Sequence, residues 1–189
     1  MKKLVIFISA ILLICSVTAF ADNNTGDEAK IKTVIKKSFI IHSKAKADVT
    51  ECDGQIYQAK SNDDMFAELG EYVSNSHGLI DNLKEGLSHK AANEGMYNGS
   101  IKKNVYKNFD FKNIQIVGDE ATVTVDVYWE VTNRMGAQTT VLMNPDNIGV
   151  KEVIDTPARD VVLKGVNNWT IVVDKTDNKW QIISEDTQY

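Results

Sequence analysis

The spacing of apolar side chains changes once along this chain, and the change falls near Gly95. Before it, apolar residues recur at the 3.6-residue period of a helix; after it, they alternate with a period of two. Residues 27–45 read as a first helix, with Ile31, Val34, Ile35, Phe39 and Ile41/His42 on one stripe and lysines elsewhere. Asp48 to Lys60 reads as a polar connection closed by Gly54, with a short candidate strand at Gln55–Ala59. Ser61-Asn62-Asp63-Asp64 has the chemistry of a helix start, and Met65, Phe66, Leu69, Tyr72 and Val73 follow at helical spacing. His77 to Ala92 carries Leu79, Ile80, Leu83 and Leu87 as another helical stripe, ended by Asn93-Glu94-Gly95.

The second half reads as strands. Val105 to Val117 is rich in aromatic and branched residues, and Gly118-Asp119 makes a turn. Ala121, Val123, Val125, Val127, Trp129 and Val131 then alternate with Thr122, Thr124, Asp126, Tyr128 and Glu130. The odd face is continuously apolar and needs a cover; the even face meets water or another chain. Thr132 to Arg159 is less regular, with a short strand at Thr139–Met143 and turn chemistry at Asn144-Pro145-Asp146-Asn147. Val161 to Val173 is a long strand that Asp174–Asn178 turns into Lys179–Glu185, a C-terminal hairpin. Three helices before an antiparallel meander predict an α+β layer fold, the N-terminal helices packed on the sheet's apolar face. No repeat, low-complexity tract or interdomain linker interrupts it.

Three segments carry a resemblance: Phe109 to Val125 (FDFKNIQIVGDEATVTV), Val161 to Val173, and Asp177-Asn178-Lys179-Trp180-Gln181-Ile182-Ile183. Together they resemble the strand half of the NTF2-like superfamily, the group of nuclear transport factor 2, SnoaL and ketosteroid isomerase. The likeness lies in a G-D-x-A-x-V-x-V strand and a closing G-x-W-x-I hairpin, whose glycine is here Asn178. It covers about residues 27–186 and implies a curved sheet and helices forming a cone with an apolar pocket at its open end. A cystatin-like fold of similar strand content is the alternative.

The resemblance implies a pocket lined by Phe66, Tyr72, Phe109, Trp129 and Trp169, which serve equally as core aromatics. Enzymes of the superfamily place a general base, Asp or His, inside the cone with donors for a developing oxyanion. Few residues here match that pattern. Asp126, Tyr128 and Glu130 share the even, outward strand face, where they make a candidate interface and poor pocket bases. His77 and Asp81 lie four apart on a predicted helix and form a candidate polar pair, which also reads as an ordinary helix-start pair. His42 and His89 read as surface or cap residues.

The first 21 residues change the picture of where this domain works. Lys2 and Lys3 precede the apolar run Leu4 to Cys15, and Ala19-Phe20-Ala21 offers small residues for cleavage after Ala21. That is a secretory signal peptide of compact bacterial type, too short and wrongly flanked for a membrane anchor. The expected mature chain is one domain, residues 22–189, in the periplasm or outside the cell, with no remaining membrane span. Asn-x-Ser/Thr triplets at Asn23, Asn98 and Asn168 are then chance matches. The leader holds two of the 21 basic residues and none of the 26 acidic ones, leaving the mature chain net about −7. That balance argues against nucleic acid or an anionic membrane as partner; Lys30, Lys32, Lys36 and Lys37 read as a wet helix face. The lone mature cysteine, Cys52, makes no internal disulfide and lacks a nucleophile's local signature. No metal-ligand spacing, phosphate loop or nucleophile elbow occurs, so no cofactor or metal is expected.

Two functions follow. The favoured one is an exported, non-catalytic ligand-binding or protein-interaction domain, pairing through its sheet as a homodimer. The alternative is a small isomerase, cyclase or hydratase acting on an apolar ligand in the cone. The alternative requires an open cavity lined by a desolvated acid or histidine, and a cone filled by side chains would eliminate it.

Overall fold

A computed structural model of the chain describes residues 25–76, 78–85, 99–143 and 150–188. The leader, His77, His89, the helix end at 93–95 and the turn at 144–147 lie outside the described residues.

Residues 25–44 form α1. Its stripe is buried as its spacing predicts: Ile31, Ile35 and Ile41 are at most 1% exposed, and Phe39 packs at the edge of the core. The chain then enters β1 (Ala47–Cys52) and β2 (Gln55–Gln58) through a two-residue turn, Asp53-Gly54. Both turn residues have positive φ, 49° and 75°, the geometry that Asp-Gly favours in tight hairpins. The polar reading of residues 48–60 misses β1 because its buried positions, Ala47, Thr50 and Cys52, are barely hydrophobic. Hydrogen bonding holds them: Thr50 Oγ1 donates to Ser43 Oγ at 2.9 Å, and β1 pairs with the third strand.

Ser61 caps α2 (Asn62–Leu69), its hydroxyl accepting from the Asp64 N–H at 3.2 Å. The helix stops at Gly70, short of the stripe that suggested it. Val73, 3% exposed, is buried as a bridge to Ile182 instead. Residues 79–85 are helical, α3. Then come β3 (Gly99–Val117), β4 (Glu120–Met135), β5 (Gln138–Met143), β6 (Val150–Thr156), β7 (Arg159–Thr176) and β8 (Lys179–Gln188). The main sheet runs β2-β1-β3-β4-β7-β8 and is antiparallel except for β1 beside β3; β5 and β6 form a small second sheet.

The odd face of β4 is the floor of the core. Ala121, Val123, Val125 and Val127 are at most 1% exposed and belong to one cluster with Ile31, Ile35, Met65, Leu69, Ile171 and Trp180. The fold is thus α+β, helices on one face of a mostly antiparallel sheet. On β3, the partners of β4's odd face are Asn104, Tyr106, Phe109, Phe111, Ile114 and Ile116, spaced 2, 3, 2, 3 and 2. Each three-residue step is a bulge, and another lies between Ile101 and Lys103. The skipped residues are Lys102, Lys107 and Lys112, which pair with Asp160 (2.7 Å), Glu130 (3.7 Å) and Asp126 (3.4 Å). Bulges bend a strand and increase its twist, so this lysine series bends β3 while keeping its apolar side toward the helices.

Candidate functional site

A cavity of about 270 Å³ lies between the C-terminal part of α1 and the inward faces of β3, β4, β7 and β8. Its walls are mainly apolar, with Phe39, Tyr106, Trp129 and Trp169 as the aromatic part and Leu69, Val73 and Leu83 closing the helical side. Trp129 is held by a hydrogen bond from Nε1 to Asn167 Oδ1 at 3.2 Å. It also needs Gly165, its partner across the β4–β7 ladder: a β-carbon there would lie 2.5 Å from the indole Cζ2. Phe39 makes edge-to-face contacts with Trp169, Phe109 and Tyr106, with ring centroids 5.1, 5.6 and 6.0 Å away.

The polar side chains are Ser38 and His42 on α1, Lys46 just after it, Asn104 on β3, Asn167 on β7 and Glu185 on β8. Glu185 is the residue that alternation places wrongly. Trp180 and Ile182 face the core, 2% and 0% exposed, so strict alternation would send Ser184 inward and Glu185 outward. A bulge at residue 183 reverses the phase: Ser184 pairs with Val172 and is exposed, while Glu185 pairs with the fully buried Ile171. Burial pushes the Glu185 carboxyl above its ordinary range, and the charge of Lys46 offsets only part of that. Burial likewise pushes the Tyr106 phenol up to about 12; its hydroxyl donates to the Phe39 carbonyl at 3.1 Å.

The raised Glu185 carboxyl has a consequence for stability. The native state keeps this proton to higher pH than the unfolded chain, whose value is near 4.5. The associated stability is therefore complete below that pH and is lost as pH rises through the native value. Glu185→Gln is expected to flatten this decline and to raise the melting temperature at neutral pH relative to the parent. Thermal melts across about pH 4 to 8 check this, and parallel profiles for the two proteins would refute it.

Among the five expected pocket aromatics, Trp129 and Trp169 line the cavity. Phe109 stands behind Phe39, 7% exposed. Phe66 packs at the core edge with Lys84 Nζ 5.5 Å from its ring centre. Tyr72 lines a separate surface groove with Val34 and Trp180. His77 is outside the described residues; Asp81 is exposed and accepts from Asn75 Nδ2 at 3.2 Å. Asp126, Tyr128 and Glu130 are half-buried on the even face of β4. Asp126 accepts from Asn168 at 2.7 Å and Glu130 pairs with Lys164 at 3.1 Å; these partners, with Lys112 and Lys107, hold both carboxyls below their usual range. Cys52 is a buried free thiol, raised by desolvation. Among the described residues no cluster of His, Cys, Asp or Glu is gathered for a metal ion, and no helix is long and apolar enough to cross a membrane.

No family model matches this chain, and no curated protein matches it. Solved structures similar to it include two that follow. One is the intermembrane space region of the chloroplast protein ARC6, at 11% identity over 82% of this chain and 92% of that one, with a TM-score of 0.46. The other is a form of Rv3472, a function-unknown protein from Mycobacterium tuberculosis, at 11% identity over 89% and 74% of the two chains, with a TM-score of 0.36.

Proposed function

We propose that this chain is an exported ligand-binding domain of the NTF2-like kind, whose cavity takes a small apolar molecule bearing a polar group. The observation that carries the reading is the cavity itself. The aromatics do not fill the open end, and a few polar side chains converge on a mainly apolar wall, as small-molecule sites require. The strand series of the sequence, the helices on one sheet face and the bulges that bend β3 support the superfamily assignment. The leader's pattern supports export, with residues 22–189 as the mature chain. Sheet-face pairing into a homodimer is part of the proposal: Val162 and Val166, each 51% exposed, flank Tyr128 and Thr132 across the β4–β7 ladder on the outer face.

Two measurements test the reading. Mass spectrometry of solvent extracts from the purified exported protein should find a small organic molecule in stoichiometric amount, or titration with an environment-sensitive apolar dye should change Trp129 and Trp169 emission. A clean extract together with unaltered emission would refute ligand binding. Light scattering tests the pairing, and a strict monomer at high concentration would remove it.

A second reading, a small isomerase, cyclase or hydratase, is favoured by one observation: the desolvated Glu185 carboxyl on the cavity wall, placed to act as a proton acceptor or donor.

A further inference from the structure

The outer face of the β4–β7 ladder carries its charges in an order that selects how a second copy sits on it. Its cross-strand pairs run Arg134–Asp160, Thr132–Val162, Glu130–Lys164, Tyr128–Val166 and Asp126–Asn168. The two exposed valines thus alternate with charged or polar pairs. In each charged pair the acid and the base stand on different strands: Arg134 and Glu130 on β4, Asp160 and Lys164 on β7. Their ion pairs, 3.7 Å for Arg134–Asp160 and 3.1 Å for Glu130–Lys164, leave the bases open to a partner, since the Lys164 and Arg134 side chains are 72% and 60% exposed.

Two identical sheets that meet face to face are related by a two-fold axis lying in the plane between them. Aligned packing lets that axis run across the strands or along them. Across the strands at Glu130–Lys164, it sets Lys164 on the partner's Lys164 and Glu130 on the partner's Glu130, and like charges so placed oppose association. Across the strands at Thr132–Val162, it matches the charges but carries Tyr128 and Val166 past the ends of the ladder, because β4 stops at Met135 and β7 starts at Arg159. An axis along the strands, between β4 and β7, exchanges the two strands. Lys164 then meets the partner's Glu130, Asp160 the partner's Arg134, Val166 the partner's Tyr128 and Val162 the partner's Thr132. Each charged pair becomes an alternating square of two acids and two bases, and both valines are covered. We infer that two copies of this chain pair through the outer face of β4 and β7 about a two-fold axis running along these strands, with Glu130 and Lys164 setting the register. This inference rests on the sheet-face pairing proposed above and adds its geometry.

Cross-linking of the purified exported protein tests the axis. Val162→Cys and Val166→Cys, both at surface positions, are treated separately and mixed with a short bis-maleimide; the native thiol of Cys52 is buried, and the unmutated protein is the control. An axis along the strands puts each position opposite its own copy across the roughly 10 Å between packed sheets, so each variant should link to itself. Self-linking of Val162→Cys alone, or linking only in the mixture, overturns the axis and leaves sheet-face pairing standing. No linking in a protein that scatters as a dimer overturns the face itself. Light scattering reads the charges: Lys164→Glu and Glu130→Lys should each weaken dimerisation about tenfold or more, and an equimolar mixture of the two should restore it, because exchanged charges again meet their opposites. Dimers indifferent to both substitutions overturn the role of Glu130 and Lys164 in the register. A strict monomer for the unmutated protein overturns pairing and axis together.

Discussion

Trp180→Ala is expected to lower the unfolding free energy by about 3–5 kcal/mol, the range for truncating a large buried aromatic. Trp180 is 2% exposed and belongs to the same cluster as Ile31, Ile35 and Ile171. Lys175 Nζ lies 5.5 Å from its ring centre while pairing with Asp27 at 2.9 Å, which ties β7 to the start of α1 beside the ring. Truncation leaves a hole where sheet and helix meet. Denaturant titration measures the loss, with Val117→Ala as control: Val117 is 69% exposed, so its change should stay within about 0.5 kcal/mol. Comparable effects in the two variants would refute the packing described for β8.

The second large effect is expected at Gly165. Alanine there puts a methyl group 2.5 Å from Trp129 Cζ2, so either the ladder between β4 and β7 spreads or the indole leaves the cavity wall. Overpacking of this kind costs about 1–3 kcal/mol. The melting temperature should fall and tryptophan emission should shift, because the displaced ring loses its bond to Asn167. Trp129→Phe in the Gly165→Ala background should recover part of the stability, since the smaller ring removes the clash. A double-mutant cycle reads that coupling directly, and strictly additive effects would show that the two residues do not touch.

The floor of the core was legible because one strand obeys a simple rule. Along β4 every second residue from Ala121 to Val127 is buried, and periodicity reports that without knowledge of the partners. The cavity was less legible because bulges build its polar part. Glu185 falls on the wrong face by alternation, and only the pairing of Val172 with Ser184 and of Val173 with Ile182 reveals the shift. The lysines at 102, 107 and 112 are the one sequence trace of the bulges in β3: their five-residue interval fits no single strand phase. Asp53-Gly54 between two short runs announced a hairpin that the polar composition of β1 concealed. Phe66 and Tyr72 show the opposite limit. Their aromatic character predicts burial but not which side of α2 or which groove receives them.

The parallel pairing of β1 with β3 joins Val49 to Lys103, across both short helices. A chain that emerges from its N-terminus therefore presents α1 and the first hairpin long before their binding surface exists. The cluster that buries Ile31, Ile35 and Ile41 is completed only by Val123, Val125 and Val127 of β4 and by Ile171 and Val173 of β7. The first helix to appear therefore gains its full cover late, an interval in which a holding chaperone has a greasy helix to grasp.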